Sequence, residues 1–145
     1  MSGVKVERST PSDLAAMEAL LAANQLPTAG LKDSIETALV ARVGSRTIGC
    51  AALEVYASGV LLRSVAVDEA WRGRGIGHQL TSAGLDLART LGAEAAYLLT
   101  TTAGDFFPRF GFARVERADV PVDIKQSIVF MSACPTTALA MRARL

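Results

Sequence analysis

The first part of the chain carries apolar residues at helical spacing. The stripe consists of Leu14, Met17, Leu20 and Leu21. The segment ahead of it, Thr10-Pro11-Ser12-Asp13, has the residue types of a capping box, with proline at the first helical position. The pattern predicts a helix that fades near Asn24 and a shorter helical stretch over 31–37.

The hydrophobic period changes in the middle of the chain. Three apolar stretches are typical of strands: 39–43, 47–56 and 60–67. Gly44-Ser45 and Ser58-Gly59 supply turn residues between them. The arrangement predicts an antiparallel meander.

A second amphipathic helix is predicted from Ile76 to Leu91, ended by Gly92. "AAYLLT" (95–100) has the pattern of a buried strand, and "AGDFFPRFGF" (103–112) of a short helix that tolerates Pro108 only in its first turn. We expect one or two further strands over 114–131 and a final helical turn in "CPTTALAM" (134–141). This order predicts a mixed α+β fold with a strand–helix–strand crossover, and the length suits a single domain over 1–145.

Composition argues against several classes of protein. A net charge of +1 gives no electrostatic case for nucleic acid or for a membrane surface. The apolar runs are too short to span a bilayer, and "MSGVKVERSTPSD" lacks the apolar core of a signal peptide. With one histidine, His78, and two cysteines, Cys50 and Cys134, the usual nitrogen and sulfur ligands are too few for a metal site. We expect reduced thiols and a cytoplasmic protein.

The stretch "WRGRGIGHQL" (71–80) carries three glycines at the start of the second predicted helix. Glycines at 73, 75 and 77 let backbone N–H groups converge beside a helix N-terminus, whose dipole favours an anion. Arg72 and Arg74 add cationic donors. The pattern indicates a phosphate or pyrophosphate site, although a flexible glycine turn with two solvated arginines would look the same. Neither GxxxxGK[ST] nor GxGxxG is present, which disfavours an ordinary nucleoside triphosphate or NAD.

The glycine cluster is part of a longer similarity. Arg72-Gly73-Arg74-Gly75-Ile76-Gly77 resembles the R/Q-x-x-G-x-G/A signature of the GCN5-related N-acetyltransferases (GNAT), which follows an apolar strand end such as Val65-Ala66-Val67. Downstream, Ala103, Phe106-Phe107 and Gly111-Phe112 resemble the A-x-x-F-Y-x-x-x-G-F segment of that family. The similarity runs from about Lys5 to Met131. Within the family, "LLRSVAV", "YLLTTTA", "FFPRFGF" and "FMSACPTTALAM" are similar to the small arsenic-resistance N-acetyltransferases.

The resemblance implies a GNAT-type fold and acetyl-coenzyme A as co-substrate. The coenzyme would lie where two central strands splay apart, here the strands ending at Val67 and Thr100. The backbone N–H near Val65 is the implied donor to the thioester carbonyl, an oxyanion-type role. The implied coenzyme-binding residues are Val65, Ala66, Val67, Arg72, Gly73, Arg74, Gly75, Ile76, Gly77, His78, Thr100, Phe106 and Phe107.

An attacking amine must lose a proton, and Glu54 is the candidate base. If Ser58-Gly59 is a two-residue hairpin turn, Glu54 lies opposite Arg63 and Ala52 lies opposite Val65. One face of the sheet would then carry Cys50, Ala52, Glu54, Arg63, Val65 and Val67. Glu54 would take the proton while Arg63 holds a substrate carboxylate; the alternative is a plain cross-strand ion pair.

One position departs from the family pattern. Where many members have a tyrosine that can protonate the departing thiolate, this chain has Phe107, which has no proton to give. Ser127, Thr136 and Thr137 could shape the acceptor pocket only by analogy.

The resemblance implies an N-acetyltransferase acting on a small amine, an amino acid or an amino-acid-like toxin in arsenic resistance. An alternative is an amino-acid acetyltransferase of biosynthesis that uses glutamate. A second alternative is a catalytically weak module that binds acetyl-coenzyme A and regulates a partner. A homodimer is plausible by resemblance, and neither nucleic acid nor membrane is expected as a partner.

Overall fold

The computed structural model describes residues 3–133 and 138–145. They form a seven-stranded mixed sheet in the order β1-β2-β3-β4-β5-β7-β6. The strands are β1 (Val4–Arg8), β2 (Ala38–Val43), β3 (Arg46–Tyr56), β4 (Gly59–Val67), β5 (Ala95–Thr100), β6 (Ala113–Val115) and β7 (Leu139–Arg144). The helices are α1 (Leu14–Ala23), α2 (Ile76–Thr90) and α3 (Val122–Lys125). The α+β class is as predicted, and β4 and β5 are its parallel pair, joined by α2.

Helices and turns cover both faces of the sheet. One face packs against α2 through a core that includes Leu53, Leu62, Leu80 and Leu98. The other face packs against α1 and the 3-10 stretch Leu31–Thr37, and further along against the segment around α3. Within the described ranges, no helix is both long and apolar enough to cross a membrane.

The predicted capping box fixes the start of α1. The Thr10 backbone N–H donates to Asp13 Oδ2 at 2.8 Å. Arg42 Nη2, on β2, donates to the same carboxylate oxygen at 2.7 Å, and this hydrogen bond is the main cause of the lowered pKa of Asp13. The predicted helix and the 3-10 stretch over 31–37 are confirmed. β1 was not predicted, because five residues at a sheet edge carry too short an alternation to stand out.

The β3–β4 hairpin turns one residue earlier than predicted. Tyr56 pairs with Gly59, so the turn residues are Ala57 and Ser58, and Glu54 lies opposite Leu61 instead of Arg63. Arg63 lies opposite Ala52, and the register then shifts so that Cys50 lies opposite Ala66. Ser64 and Val65 therefore face Ala51 alone, which is a β-bulge.

The bulge also changes which face the later residues of β4 occupy. Cys50 and Ala52 belong to the core under α1, whereas Val65 and Val67 pack against the core under α2. The predicted register and the predicted common face are wrong, because an extra residue in one strand moves every following side chain to the opposite face.

The C-terminal predictions are confirmed only in part. Within 114–131, only the end of β6 is strand, and the rest folds as 3-10, α and π turns. Of the helical turn predicted in 134–141, residues 139–141 belong instead to the strand β7, which pairs with β5 and β6 in the sheet, and residues 134–137 lie outside the described part of the chain. Apolar alternation in "LAMRAR" is short, so burial between two strands decides its structure. Cys134, Thr136 and Thr137 lie outside the described residues.

Candidate active site

β4 and β5 separate towards their C-terminal ends. Among the described residues, their pairing consists of Val60 with Ala96 and Leu61 with Tyr97. Beyond these pairs the two strands diverge, and the gap opens beside the bulge at Ser64 and Val65. The splayed strands implied by the resemblance are therefore present, and they end where predicted, at Val67 and Thr100.

We call residues 72–77 the glycine loop; they lead from β4 into α2 and form the N-terminus of that helix. Gly73 and Gly75 have φ of +81° and +79°, and Gly75 is the N-cap residue of α2. A Cβ added at either position would meet no described atom within 4 Å, so the backbone conformation is what requires glycine there. The first N–H groups of α2 lack an acceptor within the helix, which leaves them available to an anion.

A groove of about 500 Å³ opens above this loop. We call it the glycine groove. It is lined by Asn24, Val65, Ala66, Val67, Trp71, Arg72, Gly73, Gly75, Ile76, Gly77, His78, Ala103, Phe106, Phe107 and Arg109. Eleven of the thirteen residues implied as coenzyme ligands are in this lining; Arg74 and Thr100 lie outside it.

The two arginines of the loop have different surroundings. Arg72 lines the groove, and its guanidinium donates to Asn24 Oδ1 and to the Val67 carbonyl. The Arg74 guanidinium lies over the Trp71 ring, 4.5 Å from its centroid. Arg74 is thus placed next to the groove through Trp71, a cation–π contact that holds its charge near the loop.

An aromatic cluster forms the opposite wall of the glycine groove. The predicted short helix is a single 3-10 turn, Phe107–Phe110, with Pro108 in its first turn as expected. The rings of Phe106 and Phe107 meet edge to face at 5.1 Å, and the His78 ring lies 4.8 Å from that of Phe110. His78 therefore lines the groove with its ring in contact with that of Phe110.

A second cavity, of about 720 Å³, lies between the splayed strands; we call it the interstrand cavity. Its polar lining includes Arg63, Ser64, Arg72 and the run Thr100, Thr101 and Thr102, and it contains no described carboxylate. Thr100, implied as a coenzyme ligand, lies on this side, and its hydroxyl accepts a hydrogen bond from the Ala103 N–H at 3.0 Å. The residues shared by both cavities are Asn24, Val65, Arg72, Ala103 and Phe107. Val65 thus lies where the two cavities meet.

Glu54 and Arg63 form a buried ion pair despite the different register. Arg63 Nη1 donates to Glu54 Oε2 at 2.9 Å, and the two side chains are 3% and 12% exposed. The pair is diagonal across the hairpin instead of directly opposed. Arg63 also donates from Nε to Ser64 Oγ at 2.9 Å and from Nη2 to the Pro27 carbonyl at 3.4 Å.

Glu54 lies far along the hairpin from Val65. It is paired with Leu61, four residues before Val65, a separation of about 13 Å along a strand. The Glu54 carboxylate lines a different cavity, with Tyr56, Ser34 and Ser127. The predicted register placed Glu54 opposite Arg63, two residues from Val65, and the observed register places it opposite a residue four positions away.

Tyr56 is a partner of Glu54 and not of the glycine groove. Its hydroxyl donates to Glu54 Oε1 at 2.6 Å. Burial, and then this hydrogen bond, raises the pKa of Tyr56 to about 12. Tyr56 therefore stays protonated over the physiological range and helps fix the Glu54 carboxylate.

Several site residues were missed by sequence reasoning. Asn24, Trp71, Thr101 and Thr102 line the cavities but carry no motif. Ser64 was inside the quoted segment "LLRSVAV", yet its φ of +60° cannot be inferred from residue type. Trp71 alone had a local signal, because it directly precedes the glycine cluster.

The described residues fit a coenzyme A molecule. The open backbone at Gly73 and Gly75 and the α2 N-terminus match a diphosphate, and Arg72 adds charge. The apolar wall of Val65, Val67 and Phe106 matches a pantetheine arm, and it leads to the gap between β4 and β5. A thioester at the end of that arm would lie at the junction of the two cavities.

Comparisons with known proteins agree with this geometry. The family model for the acetyltransferase (GNAT) domain matches residues 34–114. An amino-acid acetyltransferase of Mycobacterium tuberculosis (strain ATCC 25618 / H37Rv) is 38% identical over 80 residues, which is 54% of this chain and 45% of that relative. The chain thus matches less than half of that relative's length.

Solved structures share the fold over nearly the whole chain. Rv2747 of Mycobacterium tuberculosis, in complex with CoA and NLQ, superposes with a TM-score of 0.81 at 25% identity, covering 97% of this chain and 99% of that one. N-acetylglutamate synthase of Neisseria gonorrhoeae, complexed with coenzyme A and N-acetyl-glutamate, gives a TM-score of 0.83 at 20% identity over 98% of this chain and 35% of that one. With the family model matching more than half of its residues, the chain belongs to the GNAT acetyltransferase family.

Proposed function

We propose that this chain transfers the acetyl group of acetyl-coenzyme A to the amine of a small amino acid. The observation that carries the proposal is the junction at Val65. There, a groove suited to coenzyme A meets a cavity lined by arginine and threonine side chains. The names of two related proteins, an amino-acid acetyltransferase and an N-acetylglutamate synthase, support an amino-acid acceptor.

The glycine loop is proposed to hold the diphosphate. The backbone N–H groups at Gly73, Gly75 and Gly77 and the α2 N-terminus donate to its oxygens, with Arg72 and Arg74 supplying positive charge. Val65, Ala66 and Val67 line the path of the pantetheine arm, opposite Phe106 and Phe107.

The interstrand cavity is proposed to take the acceptor. A carboxylate there would meet Arg63, Arg72 and threonine hydroxyls, with no described acidic side chain in the lining to repel it. This complementarity favours an acceptor that carries a carboxylate next to its amine. An amino-acid-like toxin of the arsenic-resistance type has the same chemistry and belongs in the same panel of acceptors.

When bound, acetyl-coenzyme A supplies a thioester carbonyl that an amine can attack. The Val65 backbone N–H is proposed to donate to the developing oxyanion, a contribution of about 3 kcal/mol for one well-placed donor. Phe107 lines the same junction and can exclude water, but it cannot protonate a departing thiolate. A cysteine thiol has a pKa of about 8.5, and a thiol of this kind is acidic enough for its thiolate to leave without that acid.

Glu54 is proposed to act on substrate binding by orienting Arg63. Its two oxygens accept from Arg63 and Tyr56, which fixes the guanidinium at the edge of the interstrand cavity. Its role as the proton acceptor stays a prediction, and transfer over the distance to Val65 would need a water relay.

The experiment is a coenzyme A release assay with paired acceptors. Each L-amino acid is compared with the amine that lacks its α-carboxylate, because only the first can use Arg63. We expect turnover with at least one amino acid and a kcat/KM at least about tenfold lower for its decarboxylated partner. Preference for glutamate would indicate the biosynthetic alternative. Coenzyme binding with no turnover on any amine would indicate the regulatory module and contradict the proposal.

A further inference from the structure

The bulge in β4 has an unusual backbone that the surrounding side chains support. Ser64 adopts φ of +60°, in the left-handed region that residues with a Cβ rarely occupy. Such a conformation persists only where neighbouring groups stabilise it. Val65, the proposed oxyanion donor, is the next residue, so its N–H direction depends on Ser64.

Cys50 contacts the bulge on both sides of Val65. Its thiol donates to the Ser64 carbonyl at 3.2 Å. It also accepts a hydrogen bond from the Ala66 backbone N–H, the residue paired with it in the sheet. Burial raises the pKa of the Cys50 thiol to about 12, so the group stays protonated and remains a donor.

Arg63 contacts Ser64 from the side of the interstrand cavity. Its Nε–H donates to Ser64 Oγ at 2.9 Å while Nη1 is held by Glu54. Ser64 is therefore held at two atoms: its carbonyl accepts from the Cys50 thiol, and its hydroxyl accepts from Arg63 at the interstrand cavity. The Ser64 hydroxyl in turn sets the orientation of the Arg63 guanidinium.

We infer that Cys50 and Ser64 are positioning residues for acetyl transfer. Cys50 fixes the bulge so that the Val65 N–H points to the junction of the two cavities, and Ser64 couples that bulge to Arg63. The inference rests on the proposed function for its role in turnover, whereas the bulge geometry itself can be measured without turnover.

The first test compares Cys50→Ala with Cys50→Ser. Alanine removes the donor, and we expect kcat to fall about tenfold while the Kd for coenzyme A stays within about twofold, because the oxyanion donor is displaced but the glycine loop is not. Serine retains a donor and should restore at least about half of kcat. The matched control is Val40→Ala: Val40 is the other sheet partner of Cys50, is equally buried and lies in the same core, but it belongs to β2, on the opposite side of β3 from the bulge.

The second test is Ser64→Gly. Glycine accepts the positive φ but removes the hydroxyl that holds Arg63. We expect the acceptor KM to rise about fivefold with kcat near the wild-type value, the reverse of the Cys50→Ala pattern. If Cys50→Ala and Ser64→Gly acted only by lowering stability, one would not change kcat alone while the other changed the acceptor KM alone.

A spectroscopic measurement separates failure of this inference from failure of the proposed function. In ¹H–¹⁵N NMR spectra, the Val65 amide signal should move in Cys50→Ala, return towards wild type in Cys50→Ser, and stay in place in Val40→Ala. If wild-type protein turns over no amine but these shifts occur, the proposed function fails and the positioning of the bulge by Cys50 is supported. If Cys50→Ala keeps the wild-type Val65 signal, or keeps wild-type kcat in an active enzyme, the inference is overturned.

Discussion

The glycine loop and the Glu54–Arg63 pair are both parts of the proposed site, but the sequence encodes them in different ways. The loop consists of backbone donors within six consecutive residues, and glycine at 73 and 75 permits the positive φ that the loop adopts there. The pair depends on which residues of β3 and β4 face each other, and the one-residue change of turn makes the contact diagonal and moves it away from Val65. A backbone-built site is thus local in sequence, whereas a site built from side chains across a sheet is not.

The largest expected effect is that of Gly75→Asp. The substitution places a Cβ at φ of +79° and a negative charge at the α2 N-terminus, where we propose the diphosphate binds. We expect the coenzyme A affinity to fall at least about a hundredfold. That loss removes most of the stabilisation of about 2.7 kcal/mol that wild-type protein gains at a hundredfold excess of ligand over Kd. A thermal shift titration measures it.

Gly92→Asp is the matched control. Gly92 follows α2 at the opposite end, has φ of +88°, and a Cβ there would also meet no described atom within 4 Å. The control therefore adds the same charge and the same backbone strain away from the groove, and its coenzyme shift should be retained. An equal loss of coenzyme affinity in both variants would show that backbone strain, and not the loss of an anion site at the glycine loop, explains the effect.

Arg63→Lys should affect only the acceptor side. Lysine keeps the charge but cannot form the planar contacts that Arg63 makes with Glu54, Ser64 and a substrate carboxylate. We expect the acceptor KM to rise at least about tenfold and the Kd for coenzyme A to stay within about twofold. Steady-state kinetics and a coenzyme titration measure the two quantities. An equal loss in both would mean that the two regions are not separable.

Glu54→Gln tests whether Glu54 orients Arg63 or accepts the proton of the amine. Glutamine keeps one oxygen that can accept from Arg63, and its amide nitrogen can donate to the Tyr56 hydroxyl. Because it lacks the negative charge, we expect a rise of about threefold in the acceptor KM. The pH dependence of kcat should keep its wild-type shape if Glu54 orients Arg63. Loss of the acidic limb of that profile would instead establish Glu54 as the base.

The smallest expected effect comes from a residue outside both regions. Thr81 Oγ1, on the core-facing side of α2, is buried without a hydrogen-bond partner among the described residues. Thr81→Val removes that unsatisfied hydroxyl at nearly constant shape and should raise the free energy of unfolding by about 1 kcal/mol. Denaturant unfolding measures it, and neither KM should change. A decrease in stability would indicate that the hydroxyl has a bonding partner.

Sequence reasoning succeeded where signals were local or strongly periodic. The capping box at Thr10 and the helix that begins at Ile76 follow the prediction, and the splayed strands ending at Val67 and Thr100 follow from the family resemblance. It failed where tertiary contacts decide. In the bulge, Ser64 is hydrogen-bonded by a thiol from β3 and a guanidinium from β4, and β7 becomes a strand because β5 and β6 flank it.

The most direct test of the central claim is a crystal structure with coenzyme A and an N-acetylated amino acid. The account predicts the diphosphate on the backbone amides of 73–77 and the sulfur between β4 and β5. It also predicts the acetyl oxygen within hydrogen-bond distance of the Val65 N–H, and the product carboxylate at Arg63. A coenzyme bound outside the glycine groove, or a product carboxylate distant from Arg63, would contradict it.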